Sequence, residues 1–471
     1  MPTVNKASFI SSSVYIFLLR FFPSAALFIC WILLSRNLSL SAYGAYQSWW
    51  IYFMLFTSLA SVGIPSLLLT YTAEQVQLLW QKISTRSIAF FGLLLLLLSV
   101  CCVVLQYHAG LTIAPILTTL LFMCTVVLVI AETYLIVSRK LKLITVLSIL
   151  YAVAFVVLHV YYLHTAFDLA SIITALSLLL SIRLALVLIA AYHHYTKSAT
   201  TAVVAIDLNE TRQLWLHLAL QDFLQYIFKW IDKVVVVVLL STSLTAIYFN
   251  GSIDIPFLPI LLGAFTSAGL LFLAQMQRAD KQQHSIALLH KTGILLNAIV
   301  MPLFLFLLFF AAPLFDLFFD HRYAASVPIF QWSILVLPLR AYGFTSILQH
   351  AHKGAIINKG ALLDLLIAVA AMYPLYWLMG LPGLAFSFVL SSYIQAAYYS
   401  VLTAKILQVR VLDLFPIKIW LQQIVLSLVL LSIFKIGTYY VLCSLHYLLL
   451  AVSISFLFNL IFLWMKKTAI Q

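Results

Sequence analysis

The chain has 471 residues, 65% hydrophobic and 8% charged, with a formal net charge of +13. Soluble domains carry roughly 25% charged residues. This composition therefore excludes a soluble enzyme, and it excludes a nucleic-acid-binding domain, whose basic residues would cluster on one soluble face.

With a ruler of about 20 apolar residues per span, fourteen segments are long enough to cross a bilayer. Their apolar runs are continuous and do not alternate, which argues for helices over barrel strands. The first, 12–34, is too long for a signal-peptide core and lacks a cleavage site followed by soluble sequence. It reads as a retained helix, with Arg20 three residues before Pro23. The second, 45–69, is introduced by SAYGAYQSWW and ends SVGIPSLLLTYTAEQ. Spans at 87–106, 112–137, 143–164 and 168–192 follow; Glu132 lies in the fourth and Arg183 in the sixth, where it is expected to snorkel. The longest polar segment, 193–213, separates six spans from eight. The seventh, 214–240, contains LQYIFKWIDKVVVVVLL, with Lys229, Asp232 and Lys233 at membrane depth. The eighth, 246–274, carries Asp254 ahead of Pro256 and Pro259, which break the backbone ladder. Spans at 292–312, 325–350 (with Arg340), 356–378 (with Asp364) and 381–404 come next, and 418–440 and 444–465 close the chain. The five cysteines fall in or beside apolar runs without a CxxC spacing and read as small hydrophobes.

Basic residues fix an orientation. With the N-terminus cytoplasmic, eighteen of the 26 Lys and Arg residues lie on inner segments and only Arg36 and Arg322 on outer loops. Six lie within spans: Arg20, Arg183, Lys229, Lys233, Arg340 and Lys435. The net charge is mostly an orientation signal, and both termini are expected in the cytoplasm. A weak repeat adds to this. Ser61 and Gly63 match Ser267 and Gly269, and the segment 42–46 resembles 246–250, as two halves of like topology would.

The seventh span has one polar face. At 100° per residue, Tyr226, Lys229 and Lys233 lie at about 40°, −20° and 20° from Asp222, an arc of roughly 60°, with Asp232 about 80° off it. A charge at the bilayer centre costs about 2.5–3.5 kcal/mol on insertion scales, so such a face meets protein or water. Two readings compete: the charges pair to fasten helices, or the lysines face a wet cavity and hold an anion. The same choice applies to Arg340, which a bridge to Asp364 would also explain. Glu132 and Asp254 are candidates for ion coupling through a carboxylate. Asp232 and Asp364 are the acidic candidates for structural pairing. Tyr46, Trp49 and Trp50 read as an interfacial aromatic belt, with stacking on sugar rings as the alternative. No HExxH, GxxxxGK[ST] or nucleophile elbow is present, so neither metal nor nucleotide is expected as a cofactor.

The stretch LLSRNLSLSAYGAYQSWWIYFMLFTSLASVGIPSLLLTYTAE resembles the second-helix signature of polysaccharide-export flippases, through Arg36, Tyr43, Gly44, Tyr46, Gly63 and Pro65. WIDKVVVVVLLSTSLTAIYF offers Asp232 and Lys233 in a second match, although Tyr248 stands where that family usually places Gly. FFDHRYAASVPIFQWSILVLPLRAYGFTSILQHAHKG resembles its entry into helix ten, and LPGLAFSFVLSSYIQAAYY its twelfth helix. In order, these cover most of residues 10–405. The chain is similar to Wzx-type oligosaccharide flippases of the multidrug/oligosaccharidyl-lipid/polysaccharide exporter superfamily.

The resemblance implies an all-α polytopic membrane protein with about fourteen transmembrane helices: two pseudo-symmetric six-helix lobes around a central cavity, plus two C-terminal helices. Residues 1–192 would form the N-terminal lobe, 193–213 a cytoplasmic linker, 214–404 the C-terminal lobe and 405–471 the accessory helices. It further implies a bacterial inner membrane and, as substrate, a polyprenyl-diphosphate-linked oligosaccharide whose anionic headgroup Arg20, Lys229, Lys233 and Arg340 would bind. Membrane lipids, polysaccharide polymerase and glycosyltransferases would be partners, and nucleic acid would not. A drug or metabolite antiporter and a peptidoglycan-precursor flippase are the alternatives within transport. A membrane polymerase or ligase is the enzymatic one, and it would call for a long outer loop with catalytic arginines that this chain lacks.

Overall fold

The computed structural model describes residues 6–111, 113–165, 167–197, 206–253, 255, 258, 281–351, 353–438 and 444–466. All regular structure among them is helical. The chain divides into two compact units, Met1–Ala246 and Ile247–Gln471.

The first unit opens with α1 (Lys6–Asn37), α2 (Leu40–Ala60), the short α3 (Ile64–Leu68) and α4 (Ala73–Lys82). It continues with α5 (Thr85–His108), α6 (Pro115–Val137), α7 (Leu141–Thr165), α8 (Leu169–Lys197) and α9 (Leu208–Leu239), and ends inside α10 (Thr242–Gly251). Lipid tails are as apolar as leucine, so helix association here depends on packing and hydrogen bonds more than on the hydrophobic effect. α1 lies along α7, α6 along α8, and α2 against α5 and α9. The α1–α7 seam is stitched by Thr145, which donates to the Tyr15 carbonyl at 3.2 Å, and by Ser148, which donates to the Leu19 carbonyl at 3.1 Å.

The second unit contains α11 (Lys281–Phe309), α12 (Ala311–Phe318), α13 (Ser326–Ser333), α14 (Leu337–Arg340), α15 (Ser346–His350), α16 (Gly354–Met379), α17 (Leu381–Leu407), α18 (Ile417–Gly437) and α19 (Leu445–Met465). α16 and α17 form a close hairpin, tight enough at its turn that a Cβ on Gly383 would strike the Leu375 carbonyl. The C-terminal pair α18 and α19 is bonded to α11 through buried amides. Asn297 Nδ2 donates to Gln423 Oε1 at 2.7 Å, Gln423 Nε2 to the Ile294 carbonyl at 3.2 Å, and Asn459 Nδ2 to Ser427 Oγ at 2.9 Å.

Among the described residues nine helices are long and apolar enough to span a membrane: α1 from Val14, α5 to α8, α11 from Ser285, α16, α18 and α19. α2, α9 and α17 are as long but carry more polar side chains. In α2 and α17 those residues are largely enclosed by protein: thirteen of the 21 residues of α2 are buried. The expected eighth span lies mostly outside the described residues, Asp254 with it.

The expected tenth span, 325–350, is not one helix. It runs as α13, a 3₁₀ turn at Ile334–Val336, α14, a non-helical stretch at 341–345, and α15. Pro338 has no N–H to continue the ladder. Open backbone at membrane depth is tolerated only when protein or water covers it. Here Ala341 and Tyr342 are buried, and the Tyr342 hydroxyl donates to the Leu414 carbonyl at 2.8 Å.

Candidate functional site

The polar face of α9 divides into three parts. Toward its N-terminal end it is bound to the α2–α3 junction: Trp215 Nε1 donates to the Val62 carbonyl at 2.7 Å, and Ser66 Oγ donates to Asp222 Oδ2 at 2.7 Å. One turn before Trp215, the Thr211 hydroxyl meets the Tyr71 hydroxyl at 2.9 Å. Gly63, at φ +68°, lets α9 approach: a Cβ there would lie 2.7 Å from the backbone of Ala219. The Gly63–Pro65 motif is thus a docking point for α9. In the middle of the face Lys229 is exposed, its ammonium 5.6 Å from the centre of the Trp230 ring. At the far end Lys233 bonds its own neighbour, Nζ to Asp232 Oδ2 at 3.1 Å, with both side chains largely buried. The helical wheel sets these two apart, but the long lysine side chain bends back across the difference.

Arg20, on α1, is exposed, and Arg340 is exposed at the C-terminal end of α14, where the expected tenth span breaks. Neither forms an ion pair within 4 Å among the described residues. Asp364, on α16, is buried close to Ser391 and within the electrostatic reach of Arg340, short of a direct bridge. The basic candidates therefore differ in kind: among the described residues Arg20, Lys229 and Arg340 are exposed and outside any ion pair within 4 Å, while Lys233 is tied to a carboxylate.

Glu132 has a partner that its position in the sequence does not reveal. Arg183 Nη2 donates to Glu132 Oε1 at 2.6 Å and lies 3.5 Å from Ser148 Oγ, and the guanidinium stacks 4.5 Å from the centre of the Tyr151 ring. The expectation that Arg183 snorkels to an interface is corrected by its 9% exposure. An arginine stem long enough to reach water is also long enough to reach across to α6, and the carboxylate wins.

The aromatic belt is likewise corrected. Tyr46, Trp49 and Trp50 are buried in the first unit's core with Phe53, Phe155 and His159. Tyr46 stacks parallel to Trp50, and its hydroxyl meets His159 Nε2 at 2.9 Å. His159 Nδ1 faces the Phe155 carbonyl at 2.8 Å. A carbonyl only accepts, so Nδ1 carries the proton and the neutral ring's Nε2 accepts from Tyr46. Outside the bilayer, the carboxylates of Asp168, Asp320 and Asp413 are all held below their usual range. The leading causes are the Ser171 hydroxyl, the His321 amide and the Arg410 guanidinium respectively. Among the described residues no three His, Cys, Asp or Glu side chains gather as a metal site.

No family model matches this sequence, and no curated protein sequence does. Solved structures do. A lipid II flippase, MurJ, in an inward closed conformation is similar over 98% of this chain and 100% of its own, at 16% identity and a TM-score of 0.64. An inward-facing multidrug resistance MATE family transporter of the MOP superfamily covers 84% of this chain and 94% of its own, at 13% identity and a TM-score of 0.54. A Vibrio cholerae MATE transporter variant covers 85% and 98%, at 14% identity and a TM-score of 0.53. At these identities the likeness establishes the shared all-α fold.

Proposed function

We propose that this chain is a flippase that moves a polyprenyl-diphosphate-linked oligosaccharide from the cytoplasmic to the outer leaflet of a bacterial inner membrane, by alternating access, for cell-surface polysaccharide synthesis. The reading assigns residues 1–192 and 214–404 to two lobes around a central cavity, joined by 193–213, with 405–471 as accessory helices.

The observation that supports it is a set of exposed cations in segments read as crossing the membrane, outside any ion pair among the described residues. Arg20, Lys229 and Arg340 are exposed. An exposed charge there is costly unless it meets water or an anion, and a diphosphate supplies two negative charges within a few ångströms. Lys233 joins them by exchanging Asp232 for the headgroup. The glycan travels in the wet cavity and the polyprenyl tail stays in lipid. Glu132 and Asp254 remain the carboxylates proposed for ion coupling. Membrane lipids are partners throughout, with polysaccharide polymerase and glycosyltransferases acting on either side of the step.

A second reading, transport of a peptidoglycan precursor, is favoured by the full-length likeness to the lipid II flippase. Both are tested in cells lacking the protein, by measuring which lipid-linked saccharide accumulates and in which leaflet. Inner-leaflet accumulation of the oligosaccharide, relieved by the wild type and not by Lys229→Ala, supports the first. Accumulation of the peptidoglycan precursor instead supports the second. Normal outward display with a loss of chain extension alone contradicts both and points to a polymerase.

A further inference from the structure

The α2–α3 elbow places two successive residues in the left-handed region of backbone space. Val62 has φ +46° and Gly63 φ +68° in succession. Glycine adopts this region freely, but a β-branched residue there is an outlier that persists only when its surroundings over-determine it. Here the surroundings are one face of α9. Thr211, Trp215, Ala219 and Asp222 follow one another at helical spacing and meet Tyr71, the Val62 carbonyl, Gly63 and Ser66 in turn. The strained carbonyl itself is the acceptor for Trp215.

We propose that this contact is a latch. The N-terminal half of α9 holds the elbow in its strained form and closes the first unit on the side that the basic loops assign to the cytoplasm. Withdrawal of Trp215 lets Val62 relax to negative φ and frees α3 from α9, which admits the lipid-linked substrate. The inference rests on the alternating-access reading above and adds the device that controls entry. Its chemistry suits a contact that must open repeatedly. An indole N–H, three hydroxyls and a carboxylate each exchange a protein partner for water at little net loss. The strain gives the opening a direction, because it is relieved only when the latch lets go.

The test uses the full-length protein with its natural cysteines replaced and the pair Ser66→Cys and Asp222→Cys introduced, whose rate of disulfide formation reports how often the latch is closed. Trp215→Phe keeps the ring and removes its donor, and it is expected to slow cross-linking about tenfold, the order of one buried hydrogen bond. Val62→Gly removes the strain while keeping the bond, so it is expected to speed cross-linking, raise the melting temperature and slow flipping in proteoliposomes several-fold. Because Val62→Gly stabilises the fold, its loss of transport cannot be misfolding. Cross-linking rates equal to the parent in both backgrounds, or wild-type flipping by Val62→Gly, overturn the latch. If cross-linking responds as expected but the parent moves no lipid-linked oligosaccharide, the latch stands and the substrate assignment falls.

Discussion

Glu132→Ala strands Arg183 in the interior of the first unit. Its guanidinium is 9% exposed, its partner oxygen lies 2.6 Å away, and its Nε has no other hydrogen-bond partner. What remains after the change is the contact with Ser148 at 3.5 Å and the Tyr151 ring at 4.5 Å. Removing one member of a buried pair costs about 3–5 kcal/mol, because the other charge is left uncompensated. For a chain of this size that is a fall in melting temperature on the order of 5 °C. Glu132→Gln keeps an acceptor for Arg183 and loses the charge, so its loss is smaller. The double variant Glu132→Leu with Arg183→Leu removes both charges and returns to within about 2 kcal/mol of the parent. The four proteins are compared by thermal melting in one detergent, and each is assayed for flipping after reconstitution. A Glu132→Ala variant that melts with the parent, or a double variant that melts no higher than Glu132→Ala, refutes the pairing. Full stability in Glu132→Gln with no transport would assign the carboxylate to coupling.

Gly63→Ala must place a Cβ 2.7 Å from Ala219 and hold a positive φ, and the left-handed backbone alone costs about 1–2 kcal/mol; a melting temperature equal to the parent's would contradict the close approach of α9. His159→Phe leaves the buried Tyr46 hydroxyl without its partner, a loss of about 1–3 kcal/mol that a further Tyr46→Phe largely restores; equal melting of the single and double variants would deny the bond. Gln423→Leu breaks the bonds between α11 and α18 at a similar cost of about 1–3 kcal/mol, read as faster proteolysis of the C-terminal helices, and unchanged proteolysis would count against it. Asp168 caps α8 through Ser171, and its pKa is lowered below the ordinary 3.8. A lowered folded-state value means that its contribution is present above the unfolded pKa and lost as pH falls through the folded one. Asp168→Ala therefore costs about 1 kcal/mol at pH 7, and the deficit shrinks as pH falls through the folded-state value, where the neutral carboxyl is left as a weaker acceptor; a deficit that does not change with pH would refute the charged cap.

The helices were legible because lipid imposes one length on them. Each expected span either meets a helix at its place, breaks as at Val62–Gly63 and Pro338, or lies mostly outside the described residues. The polar face of α9 was legible too, since period and charge are both local properties. What each charge meets was not. Glu132 and Arg183 are 51 positions apart, and nothing in either neighbourhood marks the other. The aromatic cluster failed for a different reason. Tyr46, Trp49 and Trp50 stand near a helix end, where rings favour the interface, but α2 is enclosed by its neighbours, and enclosure is a property of the packing. The elbow was half visible: Gly63 and Pro65 announce a break, but Val62 at positive φ and the indole that holds its carbonyl do not show in the sequence.

Flipping is measured in sealed proteoliposomes carrying a fluorescent polyprenyl-diphosphate oligosaccharide in the outer leaflet, with a membrane-impermeant reagent that destroys accessible glycan. Wild-type protein is expected to protect a growing fraction of the lipid with time, and Lys229→Ala and Arg340→Ala to slow this without lowering the melting temperature. Protection no faster than in protein-free vesicles would contradict the proposed flipping.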